Sequence, residues 1–69
     1  MPLTMASVGT AASIKRIGGK ADTRRFLESL GFVTGALVTV VSEIGGNVIV
    51  NVKDSRVAIS RGMASKIMI

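Results

Sequence analysis

Neither cysteine nor histidine occurs among the 69 residues, Pro2 is the only proline, and Phe26 and Phe32 are the only aromatic residues. Without cysteine there is no disulfide and no thiolate metal site, which suits a reducing compartment. Without histidine, imidazole bases, imidazole metal ligands and Ser-His-Asp triads are excluded by composition. No apolar run exceeds three residues, whereas a membrane-spanning helix needs about 20. Met1 to Ala6 carries neither the basic flank nor the apolar stretch of a secretory signal. The expectation is a cytoplasmic protein with no membrane insertion of its own.

Acidic residues are also few. Asp22, Glu28, Glu43 and Asp54 stand against nine basic residues and leave a net charge of +5. They are scattered through the chain, so the converging acid pair of a glycosidase or an aspartic protease is not expected. The same scarcity argues against a tight transition-metal site, since only isolated hard oxygens are on offer. Gly18-Gly19-Lys20 resembles the end of a phosphate-binding loop, but Ile14 and Ala21 stand where that motif needs Gly and Ser or Thr. No catalytic residue, no metal ligand, no cofactor and no small-molecule substrate are therefore expected, and the chain reads as a non-enzyme.

What remains is a single domain over residues 1–69 whose core must come from Val, Ile, Leu, Ala and Met, a bias toward strands. Thr10 to Ile17 reads as a strand with Ala12 and Ile14 inward and a bulge at Ile17. Leu37 to Ile44 and Asn47 to Val52 flank Gly45-Gly46 as a hairpin, with Val48, Val50 and Val52 inward. Asp54-Ser55 predicts a second tight turn, followed by a strand at Val57 to Ile59. A short turn over Arg61 to Lys66 then leads to a terminal strand at Ile67 to Ile69, placed beside the first strand to close a barrel and remove its exposed edges. One helix is expected over Asp22 to Leu30, with Thr23, Phe26, Leu27 and Leu30 on its core face, Asp22 as N-cap and Gly31 as the left-handed residue past its end. The fold class is an all-β barrel of about five strands with one short inserted helix.

Two features exceed what such a core requires. Arg24 and Arg25 sit in the first turn of the helix, where the macrodipole disfavours cations by about 0.3–1 kcal/mol each. Phe32-Val33 is an apolar pair in the turn between Gly31 and Gly35, where Phe32 is either an exposed anchor or a core plug. An apolar anchor rimmed by arginines is a common partner-binding arrangement, so Arg24, Arg25, Phe32 and Val33 are the candidate docking residues. Gly31 and Gly35 are the structural turn residues, both expected at positive φ, with Gly35 at the third position of a type II turn after Thr34. Nucleic acid is disfavoured as a partner because stacking aromatics are missing.

The run Arg25-Phe26-Leu27-Glu28-Ser29-Leu30-Gly31-Phe32-Val33-Thr34-Gly35 resembles the hallmark segment of the FeoA family of ferrous iron transport proteins. The strand from Leu37, the glycine hairpin, Val48 to Val52, Val57-Ala58-Ile59 and the Ala64 to Ile67 ending follow in the family's order. Thr34 departs from it, standing where the family usually has proline. The resemblance implies an SH3-like barrel, a cytoplasmic accessory role in ferrous iron uptake, and a partner in the cytoplasmic GTPase part of the FeoB iron permease, through which any membrane association would run. Two alternatives stay open. One is a stand-alone SH3-like module of a diphtheria toxin repressor-like metalloregulator, and the other is a basic nucleic-acid-binding barrel.

Overall fold

Eight residues from Leu37 and six from Asn47 pair antiparallel as β3 (Leu37–Ile44) and β4 (Asn47–Val52), following β1 (Ala11–Ser13) and β2 (Arg16–Ile17) in chain order. The computed structural model describes residues 1–69. Gly45 and Gly46 make the two-residue turn at φ 54° and 83°, conformations matched to the twist of a tight hairpin. Val48, Val50 and Val52 are almost wholly buried, as the alternation requires. Opposite them the register slips between Val40 and Ser42. Val38 and Val40 face inward by ordinary alternation, and the β-bulge at Val41 then aligns Ser42 with Ile49.

β5 (Ser55–Ser60) follows a second two-residue turn, one residue earlier than the sequence suggests. Lys53 and Asp54 form it at φ 49° and 63°, and Ser55 already pairs with Val52. The residues at positive φ carry side chains, which hides the turn from a search for glycine. The next segment, read from sequence as an irregular turn, is a one-turn helix, α2 (Arg61–Ala64), whose N-cap Ser60 hydroxyl accepts a hydrogen bond from the Met63 amide at 3.2 Å. Ile67–Met68 is β6.

The main sheet has the order β1-β3-β4-β5, and β2 pairs with β6 in a separate two-stranded ribbon. This corrects the expected closure. The terminal strand does return beside the expected first strand, at its Arg16–Ile17 half and not at Ala11–Ser13, but the two sheets are not closed into a barrel. The single strand expected over Thr10 to Ile17 is divided at Ile14, whose N–H donates to Ala36 at 2.9 Å and whose C=O accepts from Gly35 at 2.8 Å. That exchange bends the chain from one sheet into the other and leaves the Ile14 side chain buried. Ile17 then pairs with Ile67 across the ribbon.

Helix α1 (Ala21–Ser29) closes one end of the core with Leu27, its fully buried residue. Its N-cap is Lys20, with no side-chain cap bond, so Asp22 lies inside the first turn and is not the cap. The C-terminal signals hold. Gly31 has φ 107°, the Gly31 amide donates to Glu28 and the Phe32 amide to Leu27, both at 3.0 Å. This is the Schellman pattern, which needs a residue able to take a left-handed conformation at C′.

All 12 buried residues are apolar, and one of them was invisible to periodicity. Leu3, in a 3-10 turn over Leu3–Met5, is buried to 1% exposure against α2 and the end of the chain. Pro2 bridges to Met68, and the Ile69 amide donates to Met1 at 2.7 Å, so the two termini lie side by side.

Candidate docking surface

Helix α1 stands on Leu27 and presents most of its surface outward. Its N-terminus is basic: Lys20 precedes it, Arg24 and Arg25 follow, and Asp22 is its only first-turn acid. Arg25 lies 3.6 Å from Asp22, but both side chains are largely in water, where such a pair contributes little. Arg24 makes no ion pair; the ion pairs of the molecule are Arg25–Asp22 and Arg61–Glu43. An unpaired cation set against the helix dipole is not there for stability.

Arg24, Glu28, Ile17, Val33 and Thr34 line one small cleft of about 100 Å³. Two candidate residues, Arg24 and Val33, are thus brought to the same place. β2 supplies Ile17, α1 supplies Arg24 and Glu28, and the turn after α1 supplies Val33 and Thr34. Arg25 is exposed but does not line this cleft.

Helical periodicity misplaces Phe26, and the structure decides between the two readings of Phe32. Phe26, assigned to the core face, is 48% exposed, whereas Phe32 is fully buried and is the largest wholly buried side chain. Phe32 is the core plug, one of its two readings from sequence, and offers no surface to a partner. The reason is local. In a Schellman ending the residue at C″ packs against the one at C3, and here those are Phe32 and Leu27. Both side chains are fully buried in the one core cluster, and Phe26, about 100° round the helix from Leu27, falls at the rim. The Leu30-Gly31-Phe32 order was the signal that places Phe32 inside. The exposed aromatic is therefore Phe26, next to Arg25 but about 200° round the helix from Arg24.

The structural turn stands as expected. Gly35 has φ 89°, and the Ala36 amide donates to the Val33 carbonyl at 3.0 Å across Thr34-Gly35. A larger open groove of about 720 Å³, not anticipated from sequence, runs from this turn over Leu37 and Thr39 to Asn51, Lys53 and Asp54. Leu37 lies in it at 64% exposure.

No three carboxylates gather anywhere to hold a metal ion. Asp22 and Glu43 face arginines, and the chain has no imidazole or thiolate to complete a coordination sphere. The donor set does not fit a resident transition metal.

The profile of the FeoA domain family matches residues 1–69. A protein of Methanocaldococcus jannaschii named "Putative Fe(2+) transport protein A" is 35% identical over 68 residues, covering 99% of this chain and 83% of that one. Among solved structures, a crystal structure of an iron uptake regulatory protein, FeoA, superposes with a TM-score of 0.90 at 29% identity, covering 99% of this chain and 92% of the other. FeoA of Stenotrophomonas maltophilia, solved with zinc and described as a prokaryotic SH3 domain protein, gives 0.83 at 27% identity, with 99% and 87% covered. The fold is SH3-like. A manganese-dependent transcriptional repressor also superposes, at 0.86 over 97% of this chain and 39% of its own, but at 20% identity, which shows a shared fold alone.

Proposed function

The chain belongs to the FeoA family, and on that premise we propose that it acts from the cytoplasm by docking onto the GTPase part of a FeoB-type ferrous iron permease and modulating it. The family is a transport-associated accessory family, and Fe(2+) is the cargo of that transport. With no metal-ligating cluster and no paired acids within the fold, the chain's contribution is a surface and not a reaction.

The observation that carries the docking site is Arg24, exposed and unpaired at the wrong end of a helix dipole, sharing a cleft with the half-buried Val33. Arg25, about 100° round α1 from Arg24, widens that surface, whereas the exposed Phe26 lies about 200° round from Arg24 and faces another side. Such a patch sets an arginine, a residue type enriched at the energetic centre of interfaces, beside the apolar Ile17 and Val33. The repressor likeness adds nothing competing, because it speaks to fold only.

The test is co-purification of the R24E/R25E variant with the permease. Glutamates near a helix N-terminus are favoured by the dipole, so thermal stability should be unchanged or slightly higher. Binding should be lost. Undiminished capture of the permease by this variant would remove α1 from the interface.

A further inference from the structure

The open side of β5 is the largest unsatisfied feature that the α1 surface leaves unused. Val52 and Ser55 close the two-residue turn at Lys53-Asp54, so they form a hydrogen-bonded pair, and alternation gives the same role to Val50 with Val57 and Val48 with Ile59. The backbone N–H and C=O groups of Arg56 and Ala58 therefore point away from β4. No strand lies on that side, since β5 ends the order β1-β3-β4-β5, and none of the turn, loop and cap hydrogen bonds involves either residue.

Folded proteins ordinarily protect such an edge with proline, a bulge, inward charge or a covering segment. Over Arg56 to Ala58 β5 has none of these, and its one edge charge is the exposed Arg56. Its register with β4 is unbroken, proline is absent, and α2 begins only after Ser60. Ala58 is small and exposed, which allows another backbone to approach closely. Charge selects the occupant. Arg56 is exposed and makes no ion pair, β5 carries no carboxylate, and a second copy of a chain with net charge +5 would be repelled.

We propose that the outer edge of β5 receives an extended acidic segment of a partner protein as a fifth strand of the main sheet, held by the Arg56 and Ala58 backbone groups with Arg56 paired to a carboxylate of the incoming strand. This goes beyond the α1 docking surface and stands or falls separately from it. Strand addition takes its affinity from main-chain hydrogen bonds and its selectivity from alternate side chains, which fits a short edge with one central cation.

The experiment is a titration of the 15N-labelled protein with a capped hexapeptide of alternating Glu and Val, and with its Lys and Val counterpart. The acidic peptide should shift the Arg56 and Ala58 amides and slow their hydrogen exchange about tenfold or more, while the basic peptide binds about tenfold more weakly or not at all. A58P removes the central outward N–H, and its spectrum elsewhere should stay native because proline is tolerated where an edge N–H faces solvent. It should abolish the shifts, and R56E, which leaves the backbone intact, should weaken the acidic peptide about tenfold. Four results would overturn the proposal: no change at these amides with about 1 mM peptide, shifts centred elsewhere, equal binding of both peptides, or self-association through β5.

Discussion

Replacing Phe32 with Ala tests the reading on which the whole α1 region depends. Phe32 is fully buried between α1 and the sheet, and its own amide closes the Schellman turn on Leu27. Truncating such a side chain costs about 3–5 kcal/mol, the sum of lost transfer energy and the cavity left behind. A chain of 69 residues has a total stability of about 3–10 kcal/mol at the usual 0.05–0.15 kcal/mol per residue. F32A is therefore expected to consume about a third or more of the stability and, at the lower end of that range, to leave a measurable unfolded fraction at 25 °C. F26A, at a residue 48% exposed, should cost about 1 kcal/mol or less, since about half of the side chain is already in water. Urea unfolding followed by far-ultraviolet circular dichroism reads both. With a slope near 1 kcal/mol per molar for a domain of this size, F32A should lower the midpoint by about 3–5 M and F26A by about 1 M or less. Equal losses for the two variants, or a shift under about 1 M for F32A, would show that Phe32 is not the plug.

G31A and G35A should each destabilise by about 1–2 kcal/mol for conformational reasons, because a Cβ at Gly31 meets only ordinary contacts from Lys53 and Val52 and one at Gly35 meets nothing within 4 Å. An unchanged melting temperature for either would contradict its positive φ. T34P should stabilise by about 0.4–1 kcal/mol, since it restricts the unfolded chain and Thr34 donates none of the turn and loop hydrogen bonds; a loss of stability would mean the turn is misassigned. K53N/D54G relieves two side chains held at positive φ and should raise the melting temperature by several degrees, with a decrease counting against the tight turn. Calorimetric titration with Zn²⁺ or Fe²⁺ should show only weak surface association, and a stoichiometric micromolar site would require ligands this fold does not bring together.

The sequence by itself determined most of the elements whose partners are close along the chain, though not the one-turn α2 or the Lys53-Asp54 turn. The β3–β4 hairpin is written in the alternation of Val48, Val50 and Val52 and in Gly45-Gly46, since a strand of period two with one wet face has a single register. The extent of α1 and the positive φ of Gly31 and Gly35 were legible for the same local reason. Arg24 and Val33 were also readable as surplus to the core, although only the fold shows that they share a cleft with Ile17.

Tertiary structure decided what depends on distant segments. Periodicity gives a helix an apolar side but not the depth to which each residue sinks, so it could not choose between Phe26 and Phe32; the space beneath Leu27 admitted one ring, and the Schellman turn delivered Phe32 to it. Leu3 joins the core only because the chain returns to it through α2 and β6, more than 50 residues later. The pairing of β6 with β2, and with it the open edge of β5, follows from the bend at Ile14, where one residue's two backbone bonds to Gly35 and Ala36 divide a continuous apolar pattern between two sheets. A pattern of side chains cannot encode that division, because it is made by backbone groups that every residue carries alike.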